Sequence, residues 1–488
     1  MSNKPSGIRD YELSPVKFSR LARRGVLLGL SGVQLVVVSI AAVTLIAALY
    51  FGGGIMLAYV APVLLICAAL AFASVGGRKL IEWLPIVGRW AWRSTGGQLL
   101  FRRRIVKPRP AGTLALPGDS ARLRQWLDPE SGAAMVHDPH QATLTAIVGV
   151  THPAFILLDP IEQQRRVTSW GRVLATACRS GRVASLQVME RTLPDSGKGL
   201  AEWWAQHGQQ NGSWPSTTYD ELIDRAGPAG ERHSSTVSVS IDMKAAARAI
   251  RAAGGGNRGA ASVLRQEMST ITAALRAADL APTGWLEPGD LALILRSAYD
   301  PVVAGALERH GALGRDLATA GPVAVSENWS TVRSDSAVHC VLWISEWPRS
   351  LVFPGFLAPL LLSSGVRRTV SLLYTPMRND QAARDIRKKK TEYISDAAQR
   401  QRIGQIEDAQ QSAEYSDVLQ QEADLTAGHG ILRTTGLIAV SAEDPDELER
   451  AVADIEQAAI QASCETRRLW GQQAQAFSAA ALPLCRSV

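Results

Sequence analysis

The chain has 488 residues, 46% of them apolar, and a formal net charge of +7. Residues 1–110 carry 15 Lys/Arg against 3 Asp/Glu, a net of +12 that leaves −5 on the remaining 378. Basicity confined to the neighbourhood of one apolar segment speaks against a nucleic-acid-binding domain, which needs a Lys/Arg stripe on a folded surface.

A short tail, residues 1–24, leads into Gly25–Gly77, 53 residues without one Asp, Glu, Lys, Arg or His. A bilayer core about 30 Å thick takes roughly 20 helical residues, so this stretch is long enough for two crossings. It is too long for a signal peptide. Spans at about 30–51 and 55–75 are expected, with the reversal at Gly52, Gly53 and Gly54, where backbone that leaves the helix can meet water. Arg23 and Arg24, with Lys17 and Arg20, precede the first span, and Arg78, Lys79, Arg89, Arg93 and Arg102 to Arg104 follow the second. Positive charge favours the cytoplasmic side, so both flanks are expected inside and the glycine turn outside. In IEWLPIVGRWAW, Trp83, Trp90 and Trp92 suit a short amphipathic segment in the headgroup layer.

The basic juxtamembrane segment, residues 78–119, ends in a Pro/Gly-marked linker, KPRPAGTLALPGD (Lys107–Asp119). Beyond it, ATLTAIVGV (Ala142–Val150), IEQQRRVTSWGRVLATACR (Ile161–Arg179) and VASLQVMER (Val183–Arg191) read as strand, helix and strand. A further strand, STVSVSID (Ser235–Asp242), precedes two helices. The strand-helix-strand order returns in AVHCVLWIS, GFLAPLLLSSG and RRTVSLLYTP (337–376), and again in TTGLIAVSA, DPDELERAVADIEQAAIQA and SCETRRLW (434–470). The expected fold class is α+β, with repeated βαβ units as ferredoxin-like modules side by side, in subdomains at 120–332 and 333–488. Asn379 to about Leu425 spaces its apolar residues thinly among charges. That pattern predicts a projecting helix or helical hairpin with Lys388, Lys389 and Lys390 solvated.

Linear motifs for chemistry are absent. There is no GxxxxGK[ST], and DSGKGL (Asp195–Leu200) lacks both the upstream glycine and the hydroxyl residue. GGGNRG (Gly254–Gly259) follows a helix, so it reads as a cap and turn and not as a dinucleotide loop. HDPH (His137–His140) and His152 have no HExxH or CxxC behind them, and no GxSxG occurs. Five separated cysteines read as reduced thiols. The expectation is a protein with no catalytic residues, no metal and no cofactor. A membrane-bound enzyme without a linear motif stays open as an alternative.

GHGILRTTGLIAVSAEDPDELERAVADIEQAAIQASCETRRLWGQQAQAFSAAALPLC resembles the end of the N-terminal domain of the ATPases of conjugative type IV secretion systems, the TraC/TrbE-like family. The shared features are the glycine after a long charged helix, the DPDELE helix start, the CETRRL strand and the closing AxxAFxxxLPL. In that family the region leads into a RecA-like motor, and here the sequence stops where the motor would begin. The paired apolar spans resemble the PrgI-like two-span subunits of such systems. Together they imply an actinobacterial conjugation-type inner-membrane protein, multi-pass, with its N-terminus and C-terminal domain cytoplasmic. The implied partners are membrane lipid, a separate secretion ATPase, other membrane subunits and further copies of the chain, with no direct nucleic-acid contact. A type VII secretion membrane component of the EccE kind is the alternative in the same class.

Overall fold

The computed structural model describes residues 18, 31–76, 78–104, 112–114, 116–152, 154–195, 198–209, 211–226, 230–310, 316–403, 409–427 and 430–488. Two units are present. One comprises Arg20–Leu99 with Trp470–Gln472, the other Met1–Ser19, Leu100–Leu469 and Gln473–Val488.

In the smaller unit, α1 (Gly32–Phe72) is two helices joined across a break at Gly53, whose φ of 57° and ψ of −148° are accessible in practice to glycine alone. The apolar stretches on either side are Gly32–Gly53 and Ile55–Phe72. A tight antiparallel turn, β1 (Ser74–Val75) with β2 (Arg78–Lys79), then leads into α2 (Leu80–Thr95).

The larger unit is built on one antiparallel sheet. Its first half contains β3 (Leu100–Arg102), β4 (Arg124–Leu127), β5 (Ala134–Asp138), β6 (Thr143–Thr151), α3 (Pro160–Arg179) and β7 (Val183–Pro194). There follow α4 (Lys198–His207), α5 (Trp214–Ala226), β8 (Glu231–Asp242), α6 (Ala247–Ala252), α7 (Gly256–Ala277), β9 (Ala281–Trp285) and α8 (Pro288–Tyr299). After α9 (Ala304–His310) the second half begins with β10 (Ala324–Glu327), β11 (Val332–Ser334), β12 (Ala337–Glu346), α10 (Ala358–Leu362) and β13 (Arg367–Pro376). It closes with α11 (Asn379–Ile403), α12 (Ala409–Thr426), β14 (Leu432–Ala442), α13 (Pro445–Gln461), β15 (Glu465–Arg468) and α14 (Gln473–Ala480).

Among the described residues the strands run β3-β10-β11-β12-β14-β13-β7-β8-β6-β5-β4, with β15 also on β12 and β9 also on β6. Both halves thus contain the same local order, β9-β6-β8-β7 in one and β15-β12-β14-β13 in the other. They meet where β7 pairs with β13, from Arg368 opposite Thr192 to Tyr374 opposite Leu186. The stretch 434–470, expected as a third strand-helix-strand copy, is interleaved with the second, because β14 inserts between β12 and β13. The connections permit this: a hairpin partner lies antiparallel beside the strand it follows, and a helix crossover can skip one position.

Side chains alternate across the strands, so each face has its own core. Val341, Leu437 and Ala439 pack with α8, α14, Leu114 and Leu116 on one face. Cys340, Leu342, Ile438 and Val440 pack with α10 and α13 on the other, where α3, α6 and α7 cover the first half. Leu114 and Leu116 belong to the stretch read as linker, yet both are wholly buried.

The GGGNRG turn behaves as the sequence predicts. Gly254, Gly255 and Gly256 all have positive φ and reverse the chain between α6 and α7. Three residues on, a Cβ at Gly259 would stand 2.3 Å from Ile250 O, so the two helices touch through backbone.

The charged stretch from Asn379 forms a helical hairpin, α11 against α12, with a small cluster of its own: Ile386, Tyr393 and Val418 are buried. Tyr393 Oη donates to Glu414 at 2.9 Å. The expectation of three solvated lysines needs correction at Lys389 and Lys390, both half-buried, with Lys390 bonded to Glu422 at 2.6 Å. A thin apolar stripe suffices when the partner helix supplies the other half of the contact.

Candidate functional site

The residues singled out for membrane topology fall mostly in the smaller unit; Arg23 and Arg24 lie outside the described residues. Ser31 caps α1: its Oγ accepts from Gln34 N at 3.3 Å, while Gln34 Oε1 accepts from Ser31 N at 2.8 Å. The other end of the same amide, Gln34 Nε2, donates to Ala71 O at 2.6 Å. One side chain thus caps the start of the first span and satisfies a carbonyl at the end of the second, whose helix offers no further donor there. That bond ties the two apolar helices at one end, and the Gly53 break reverses the chain at the other. Gly52, Gly53 and Gly54 all lie within α1, with only Gly53 departing from helical geometry.

The two helices are about 33 and 27 Å long at 1.5 Å per residue, enough to cross a hydrocarbon core. Their outer surfaces are bare: Val33 is 62% exposed, Phe51 79% and Ile55 78%.

Arg78 and Lys79 form β2, and Lys79 Nζ donates to Phe72 O at 3.3 Å, a cation on the last carbonyls of the second span. Trp83, on α2, donates from Nε1 to Val75 O at 3.1 Å and fixes the turn. On the same helix Trp90 is half-buried and Trp92 is exposed.

HDPH assembles no metal site. His137 is on β5, where burial, then Arg124, holds its pKa below the usual histidine range. Asp138 Oδ1 accepts from His140 N at 2.9 Å and Gln141 N at 3.2 Å, closing a turn. Among the described residues no three His, Cys, Asp or Glu side chains are placed to share a metal.

Sequence reasoning missed a polar cluster that the sheet brings together. Ser235 on β8 donates to Glu190 on β7, His152 Nε2 stands 3.1 Å from the same hydroxyl, and His233 Nδ1 is 3.6 Å from Glu190 Oε1. A hydroxyl between an imidazole and a carboxylate has the components of an activated nucleophile. Here, however, the carboxylate holds the hydroxyl and not the imidazole that would act as base, so the geometry is that of a hydrogen-bonded network. The four residues share no linear spacing that would have flagged them.

No family model matches the chain, and no curated protein matches it.

Proposed function

We propose that the chain is a non-catalytic inner-membrane component of a type IV-like secretion or conjugation apparatus that anchors and docks a separate motor ATPase. The observation that carries this reading is the bare apolar helix pair, which water would solvate at great cost and a bilayer covers. In that setting the Gly53 turn lies outside, and the basic flanks hold the N-terminus and the α+β unit in the cytoplasm. The amphipathic α2, with its tryptophans, lies in the headgroup layer.

The strand orders β9-β6-β8-β7 and β15-β12-β14-β13, each with its crossover helices on one face, support reading the α+β unit as two ferredoxin-like modules joined edge to edge. Each module carries a helical arm between its second and third strands: α4 and α5 in the first, α11 and α12 in the second. Trp203 and Trp214 on the first arm are exposed, as hot-spot residues of a docking surface would be. A tether raises the local concentration of a partner and restricts its orientation without any chemistry of its own.

Affinity purification of tagged full-length protein from mild-detergent membranes tests the proposal. A P-loop ATPase is expected in near-equal amount, and the chain is expected to resist alkaline carbonate extraction. Release by carbonate would remove the anchor, and recovery of the chain alone would remove the docking role.

A further inference from the structure

A cleft of about 460 Å³ lies between α8, α9 and one end of β6, β7 and β8. Its size is typical of small-molecule sites, which run to roughly 300–1,000 Å³. Much of its wall is apolar, with Leu193, Leu286, Leu293, Ile294 and Leu307. Arg191 enters it from β7.

Two arginines in the sheet are equally buried, at 3% exposure, and differ in their partners. Arg368 donates from its two terminal nitrogens to three carbonyls, those of Leu361, Ser363 and Val366, and so caps the end of α10, although its Nε, like that of Arg191, has no acceptor. Arg191 donates from Nη2 to Ser297 Oγ at 2.7 Å, and its Nε has no acceptor. Among the described residues no carboxylate pairs with it. Burial, with Arg232 adding repulsion, lowers its pKa to about 10.

On the neighbouring strand and the same face, Thr236 Oγ1 is also buried without a partner. Glu190, next along β7, also lines the cleft, where its carboxylate is held by the Ser235 hydroxyl. Asp290 lines the cleft from α8 but forms no ion pair with Arg191. An unpaired buried guanidinium is destabilising, and its fork matches an oxyanion. Ser297, whose own proton goes to Leu293 O at 2.7 Å, orients it.

We propose that this cleft binds a small organic phosphate, with the oxyanion on Arg191 and Thr236 and the apolar body against Leu193, Leu286 and Leu293. The docking role does not require this site.

The test is calorimetric titration of phenyl phosphate into detergent-solubilised full-length protein, wild type against Arg191→Met and Thr236→Val. Wild type is expected to bind saturably and more tightly than it binds inorganic phosphate, and Thr236→Val to bind several-fold more weakly. Arg191→Met is expected to bind at least tenfold more weakly while melting at the same temperature or higher, because it removes an unpaired buried charge. A merely structural arginine would instead melt lower and leave no phosphate site. Absence of wild-type binding, or unchanged affinity in both variants, overturns the proposal. With binding established, competition by phosphatidic acid doped into the micelles assigns the site to a lipid headgroup, and failure to compete assigns it to a soluble ester.

Discussion

His339 is wholly buried, with Nε2 2.6 Å from Ser334 Oγ, Nδ1 2.8 Å from Ser441 Oγ and the Phe477 ring 4.4 Å away. Ser334 donates its proton to Tyr299 O at 2.6 Å, so it must accept from His339. The imidazole is therefore the neutral Nε2–H tautomer, receiving Ser441 at Nδ1. Burial drives its pKa down to about 3 from 6.5, against the raising effect of the Tyr299 backbone. Above about pH 6.5 the ring is neutral in both the folded and unfolded chains. Below that, only the unfolded chain takes the proton, so stability falls with pH until about pH 3, by about 1.4 kcal/mol per unit. His339→Gln keeps one donor and one acceptor and does not titrate. The wild type should lose more melting temperature than this variant between pH 7.5 and pH 5. Parallel profiles would show that His339 does not set the acid sensitivity.

At the scale of elements, α11 and α12 are an insertion in a β-hairpin. The β13–β14 ladder runs to Pro376 opposite Leu432, and Met377 N still donates to Ile431 O at 2.9 Å beyond it. Replacing residues 378–430 with Asn-Gly would close this hairpin with a two-residue turn of the kind that matches strand twist. Because Ile386, Tyr393 and Val418 form a cluster of their own within the arm, the α+β unit should melt within about 2 °C of wild type, the shift of roughly 1 kcal/mol in a unit of this size. Loss of cooperative melting would mean that the arm supports the sheet. Long strands such as β12 and β14 were legible because β-branched and apolar residues fill both faces. Strands of three to five residues such as β9, which includes Pro282 and Gly284, and β11 were not, since their pairing comes from neighbours and not from a period of their own. The apolar helix pair was plain from 53 uncharged residues. By contrast, Arg191 and Ser297, which meet in the cleft, are 106 residues apart, and no local pattern announces a buried arginine.

For the whole molecule, the two halves are held together by the β7–β13 pair and by the segment after α14. That segment leaves α14 outside any helix or strand and crosses onto the first half. There Gln187 Nε2 donates to Ala479 O at 3.2 Å and Leu482 O at 3.1 Å, and its Oε1 accepts from Cys485 N at 2.7 Å. Ser238 Oγ donates to Pro483 O at 2.8 Å. This bears on the alternation in STVSVSID: valines face the helices, and on the reverse face Ser238 meets an irregular backbone that needs partners, while Ser240 accepts from Thr145. Removing residues 481–488 would strip the buried Leu482 and Leu484 and take away the partners of Gln187 Oε1 and Ser238 Oγ, while Gln187 Nε2 keeps Ser371 and Ala479. Two leucines at roughly 1.5–3 kcal/mol each, and the lost hydrogen bonds at about 1 kcal/mol each, amount to a large part of a domain's stability of about 5–15 kcal/mol. The truncated chain should therefore lose its cooperative melt and become open to protease within β7 and β8, while its apolar helices still hold it in membranes. If the sheet melts unchanged, the halves are joined by the β7–β13 ladder alone and the segment only lies over them.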